Sequence, residues 1–142
     1  MLLAGIVSSG LGRAHIFMAQ PHYQKQFNTL LGSNAWAGTL NVKVTADNLV
    51  EYKKLRVVAG LEEGVSADLE CVRINGFERD GKSFGGATAF LAEIFSENQT
   101  HDCAVLIPDL TRHEDVVEVI SSVFLRESCD LLDGDKVSIS LQ

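Results

Sequence analysis

Thr39 and Asn41 stand two apart in Gly38-Thr39-Leu40-Asn41. On a strand, residues two apart share a face, so a hydroxyl and an amide oxygen project together. Both are hard donors, suited to Mg²⁺ that keeps its waters and bridges substrate phosphates. A polar, solvated strand face explains the same alternation. Upstream, Ser9-Gly10-Leu11-Gly12-Arg13-Ala14-His15 follows an apolar run. Glycines in such a loop let backbone N–H groups approach phosphate oxygens closely. Arg13 adds charge there and His15 a further donor. An ordinary glycine turn accounts for the segment equally well.

Downstream, Thr111-Arg112-His113-Glu114 has the form of a capping box and predicts a helix over residues 115–121, with Val116, Val119, Ile120 and Val123 inward. A helix N-terminus is also a natural phosphate site. Glu118 lies off the apolar face of that helix, as a solvated residue or as an acceptor for ligand hydroxyls and ring N–H groups. Val123-Phe124-Leu125-Arg126-Glu127 follows with little room for regular structure. Its backbone can read the edge of a base and Arg126 can reach phosphate. The plain alternative is a connector with a surface ion pair. The histidines, His15, His22, His101 and His113, lack metal-ligand spacing, and no nucleophile elbow, Walker sequence or protein-kinase signature occurs.

These residues need strands and turns to position them. Leu2–Ser8 reads as a first strand. Pro21–Leu31 reads as a helix, with Pro21 in its first turn, Tyr23, Phe27, Leu30 and Leu31 on one face, and Gly32 at its end. Residues 39–45 alternate strictly, with Leu40, Val42 and Val44 on one side. A short helical turn is expected within 47–58 and an acidic loop over 60–67. Residues 69–77 and 83–95 read as strands joined at Arg79-Asp80-Gly81. Residues 103–107 form a buried strand stopped by Pro108. Asp133-Gly134 turns into a last strand, Lys136–Leu141. Many short strands, two small helices and no strand-helix-strand rhythm point to a mainly β, closed barrel rather than a Rossmann sheet.

The chain of 142 residues is read as one domain, 1–142, long enough to bury a core. A formal charge of −7 with only 12 Lys and Arg argues against a nucleic-acid surface. Polyphosphate binding must then be local, through backbone N–H groups, a few cations and a metal ion. No apolar run is long enough to cross a membrane, and the first residues lack a signal-peptide pattern, so a cytoplasmic protein is expected. Cys71, Cys103 and Cys129 fit neither a disulfide framework nor a zinc site. Trp36 is expected in the core or a pocket wall.

Taken in order, these motifs resemble the archaeal CTP-dependent riboflavin kinase family. The resemblance runs from Gly5 to Leu141. It includes Phe17-Met18 with Tyr23 and Phe27, Leu31-Gly32, Asn75-Gly76-Phe77, Gly81-Lys82-Ser83-Phe84-Gly85, Ile107-Pro108 and Leu132-Asp133-Gly134-Asp135-Lys136-Val137. It implies a cradle-loop barrel of about six strands with small peripheral helices, without the winged-helix domain fused to some relatives. By the same resemblance, Gly10, Leu11, Gly12, Arg13, Ala14 and His15 would wrap the phosphates of CTP. Thr39 and Asn41 would hold Mg²⁺, and Thr111 and Glu118 would contact riboflavin or FMN. Val123, Phe124, Leu125 and Arg126 would bind the nucleotide. The chain departs from the family pattern at three places. Arg13 and Ala14 replace Glu and Gly in the loop, Ser121-Ser122 replace Ala-Pro, and the stretch from Thr111 to Glu118 is one residue short.

The implied reaction is transfer of the terminal phosphate of CTP to the 5′-hydroxyl of riboflavin, giving FMN and CDP. No general base is identified; Glu127 and Asp109 are candidates only by lying near the site motifs. The expected partners are small molecules, with no nucleic acid or membrane, and the expected state is a monomer or small homo-oligomer. The alternatives are a flavin- or nucleotide-binding barrel without catalysis, a barrel-type DNA-binding regulator, and a structural dimerisation barrel.

Overall fold

The computed structural model describes residues 1–10, 14–97 and 99–141. Nine strands and four helices are described: β1 Leu2–Ser8, α1 Ala14–Met18, α2 Pro21–Leu31, β2 Leu40–Val44, α3 Leu49–Val58, β3 Val72–Ile74, β4 Phe77–Arg79, β5 Lys82–Phe84, β6 Ala87–Ser96, β7 Gln99–Pro108, β8 Val116–Ile120, α4 Leu125–Ser128 and β9 Lys136–Leu141. Six antiparallel strands close a ring in the order β6-β7-β8-β2-β1-β9, because β9 pairs with both β1 and β6. Closure removes the unpaired edges that an open sheet would expose. β3 flanks β6 outside the ring, and β4 with β5 forms a separate ribbon.

Alternation decides which side chains fill the ring. Leu3, Val7, Leu40, Val42, Phe90, Val105, Val117 and Ile139 belong to the inner cluster. The β7 run is apolar on both faces, since Cys103, Val105 and Ile107 point inward while Ala104 and Leu106 meet a second layer. That layer is α2, which lays Tyr23, Phe27 and Leu30 over Ile74, Ala89, Leu106 and Ile120. Burying side chains of this size contributes roughly 1.5–3 kcal/mol each. Gly32 ends α2 with φ 81° and its N–H bonded to the Asn28 carbonyl.

Several expectations need correction. Residues 115–121 are not a helix: 116–120 form β8, paired with β2 on one side and β7 on the other. The apolar spacing fits a helix, but a short run buried on both faces fits a strand equally well. Four of its five residues are β-branched, which favours the extended form. Thr111 therefore caps no helix; its Oγ1 accepts from the His113 N–H at 3.3 Å in a local turn. Residues 123–127 are not irregular throughout, since α4 begins at Leu125. The expected strand 69–77 splits into β3 and β4, and 83–95 into β5 and β6, while 103–107 lies within the longer β7. The turn between β4 and β5 falls at Asp80 and Gly81, both at positive φ (52° and 75°). The helical turn within 47–58 extends to the full α3, whose Tyr52 hydroxyl donates to the Val116 carbonyl at 3.2 Å. The three cysteines are free, two of them buried.

Candidate functional site

A groove of about 1250 Å³ runs along the outer face of the barrel, between the β7-β8-β2 surface and the layer of α1 and α2. Leu40, Val42 and Val44 point into the barrel, so Asn41 points out. Val117 and Val119 do the same on β8 and turn Glu118 outward. Register then puts Asn41 directly opposite Glu118, and Glu118 opposite Leu106. A carboxylate expected on a helix thus stands beside the proposed metal residues on the sheet.

The groove draws on every described residue of the expected nucleotide, metal and flavin sites. Gly10, Ala14 and His15 line it, as do Thr39, Asn41, Thr111, Glu118, Val123, Phe124, Leu125 and Arg126. Leu11, Gly12 and Arg13 lie outside the described residues. Glu127 and Asp109 are not among the lining residues. Asp109 is held by Arg73 through both carboxylate oxygens, and that hydrogen-bonded guanidinium lowers its pKa. A carboxylate so engaged is a poor proton acceptor.

Thr39 Oγ1 donates to Asn41 Oδ1 at 3.2 Å, so two hard oxygens converge on one point of the groove. Adjacent ligands of an octahedral Mg²⁺ lie about 3 Å apart, so the donor types and spacing fit this ion. Among the described residues no group of three or more His, Cys, Asp or Glu could hold a metal. An ion here would rely on waters and ligand oxygens for its other positions, as Mg²⁺ commonly does. Gly10 lies against the other side of the Asn41 amide: a Cβ at Gly10 would sit 2.3 Å from Asn41 Nδ2. Only glycine lets the loop cover Asn41 this closely.

Burial pushes the Glu118 carboxyl above its ordinary range, while nearby His113 pulls the other way. The segment carrying Thr111 and His113 is tied to α3, because Arg56 Nη1 donates to the His113 carbonyl at 2.7 Å and Arg56 Nε pairs with Glu62 at 3.1 Å.

Trp36, expected in the core or a pocket wall, lines the groove, and two further contributors, Arg112 and His113, were not read as site residues from the sequence. Trp36 stacks on Phe124 with ring centroids 4.0 Å apart and planes within 4°, and both rings line the groove. The Trp36 benzo ring lies over Gly38, where a Cβ would approach it to 2.2 Å. Arg112 adds positive charge to the wall and His113 an imidazole. Their only signal in the sequence was proximity to Thr111.

A family model described as CTP-dep_RFKase, domain of unknown function DUF120, matches residues 7–141. The chain belongs to the CTP-dependent riboflavin kinase family. Among curated relatives, a protein named riboflavin kinase from Thermoplasma acidophilum is 36% identical over 141 residues, covering 99% of this chain and 57% of the relative. Proteins of the same name from Haloquadratum walsbyi and Halobacterium salinarum are 33% and 35% identical and are covered over 56% and 57% of their lengths. The chain therefore spans a little over half the length of these relatives. As a member of the CTP-dependent riboflavin kinase family it has a closed six-stranded barrel with small helices. Thr39 and Asn41 of this member stand on β2 or at its edge, on the outer face of that barrel.

Proposed function

We propose that this chain is a CTP-dependent riboflavin kinase domain. The riboflavin 5′-hydroxyl oxygen attacks the terminal phosphorus of CTP, the bond from that phosphorus to the bridging oxygen breaks, the hydroxyl proton leaves, and FMN and CDP form. The observation that carries this reading is one groove shared by Gly10, the Thr39–Asn41 pair, Glu118 and the 123–126 segment, in a chain matched by this family over residues 7–141.

Thr39 and Asn41 would hold Mg²⁺, which would neutralise phosphate charge. Gly10, Ala14 and His15, with Arg126, would bind the phosphate tail of CTP, together with Leu11, Gly12 and Arg13. Val123, Phe124 and Leu125 would hold the cytidine. Thr111 and Glu118 would orient the flavin, Glu118 as a hydrogen-bond acceptor. Phosphoryl transfer of this kind depends on alignment and charge neutralisation more than on a strong base, consistent with the engagement of Asp109 by Arg73. A charge of −7 favours small-molecule ligands over nucleic acid. Among the described residues no helix is long and apolar enough to cross a membrane. We read the protein as cytoplasmic and as a monomer or small homo-oligomer.

The test is FMN formation, followed by chromatography with fluorescence, from riboflavin and Mg²⁺ with either CTP or ATP. FMN formed with CTP and lost in both Thr39→Ala and Asn41→Ala supports the kinase and its metal residues. Ligand binding without FMN from any nucleoside triphosphate would instead favour a barrel that binds but does not catalyse, an alternative that the Arg13 and Ala14 replacements keep open.

A further inference from the structure

Asp133 is not among the groove-lining residues, yet it touches two that are. Its Oδ1 accepts from Arg126 Nη2 at 2.8 Å, and its Oδ2 accepts from the Ser9 hydroxyl. The same Arg126 nitrogen donates to the Ser8 carbonyl at 3.2 Å. The turn that carries Asp133 is itself pinned to the end of β1. Gly134 N donates to the Val7 carbonyl and Val7 N to the Asp135 carbonyl, both at 2.8 Å. Inside the turn, Leu132 N donates to Asp135 Oδ2 at 2.8 Å. One carboxylate on a fixed support therefore joins the root of the glycine loop to the arginine of α4.

Neither stability nor long-range charge accounts for this arrangement. The Asp133 side chain is 55% exposed and that of Arg126 31% exposed, and ion pairs so placed contribute little to folding. A carboxylate beside Arg126 also subtracts from the positive potential that a polyphosphate would meet. What the contacts do provide is geometry: they restrict a flexible guanidinium and a freely rotating hydroxyl to one arrangement at the edge of the groove.

We propose that Asp133, itself held by the Ser9 hydroxyl, is a positioning residue for nucleotide phosphate, acting through Arg126. The inference rests on the reading above that this end of the groove takes the phosphate tail. Pre-ordering the guanidinium, which has five N–H donors to share between Asp133 and a ligand, spares the ligand the entropy of arranging it.

The sign of the mutational effect separates the possible roles. Calorimetric titrations would compare the full chain with its Asp133→Asn and Asp133→Ala variants, using CDP, inorganic tripolyphosphate and riboflavin as probes. Nucleotide and tripolyphosphate affinity should fall by about tenfold in both variants, although each removes a negative charge, because a misplaced guanidinium outweighs the gain in potential. Riboflavin affinity should not change, and Tm should move by no more than about 2 °C. In the ligand-free protein, the Arg126 Nε–H resonance should be sharp in wild type and broadened in both variants.

Unchanged or tighter phosphate binding in the variants would overturn the proposal, because Asp133 would then act only as a charge. Equal losses for riboflavin and CDP would also overturn it, because the role would be structural. Failure of wild-type protein to bind either phosphate probe would overturn the nucleotide reading and this inference with it. The Arg126 resonance distinguishes that failure from the absence of the clamp itself.

Discussion

Asn41 on β2 and Glu118 on β8 occupy directly opposed positions in an antiparallel ladder, both facing the groove outside the barrel. Directly opposed side chains on one sheet face lie roughly 4.5–5.5 Å apart at Cβ. The relationship depends on one register: a slip by one residue would turn Glu118 into the apolar interior and Val117 out of it. The same pairing that packs Val42 against Val117 thus sets the amide beside the carboxylate.

Gly10→Ala should disturb the site without unfolding the barrel. The added Cβ would sit 2.3 Å from Asn41 Nδ2, so either the loop lifts or the amide turns away from Thr39. Mg²⁺-dependent CDP affinity should fall by about tenfold or more, with Tm nearly unchanged. Calorimetry with and without Mg²⁺ would check this, and unaltered binding would show that the loop does not lean on Asn41.

Glu118→Gln should stabilise the fold at neutral pH while weakening flavin binding. The folded-state pKa of Glu118 is raised by burial above the ordinary 4.5, so its native state binds a proton more tightly than the unfolded chain does. Its stabilising contribution is full below 4.5 and is lost as pH rises through the elevated folded value. Tm of the variant should therefore exceed that of wild type at pH 7, and the gap should close as pH drops below the unfolded value. A gap that is absent at pH 7 would show that Glu118 is well solvated.

Val117→Ala discriminates strand from helix at residues 116–120. On a helix with Val116, Val119 and Ile120 inward, residue 117 would face water and the change would be nearly neutral. On β8 its side chain is fully buried in the barrel, so truncation should cost on the order of 1–3 kcal/mol. Chemical denaturation would measure the loss.

Trp36 should report ligand entry directly. It is the single tryptophan of the chain and stacks on Phe124 in the groove wall. Titration with riboflavin or CDP should change its emission, and Phe124→Ala should shift that emission to longer wavelength by admitting water. Emission insensitive to either ligand would place both binding sites away from this wall.

Local patterning was enough for much of the barrel. Leu2–Ser8, Lys136–Leu141 and most of residues 39–45 form strands as alternation required, because a half-buried strand must separate its two faces. Pro21 and Gly32 marked the limits of α2, since one lacks an N–H that the first turn does not need and the other accepts the left-handed region at its end. The Thr39–Asn41 pair was legible as two oxygens on one face for the same reason of periodicity. Periodicity failed at 116–120, where the pairing of β8 with both β2 and β7 chose between helix and strand. It was silent on the stacking partner of Trp36 and on the role of Asp133, because Phe124, Ser9 and Arg126 are brought to them only by the folded chain. Sequence alone determined the short-range alternation, the turns and the family resemblance, all of which depend on neighbours in the chain. Tertiary structure decided the register that joins Asn41 to Glu118 and the clamp at Asp133, because the β2–β8 ladder and the approach of Ser9 to Asp133 join segments far apart in the chain.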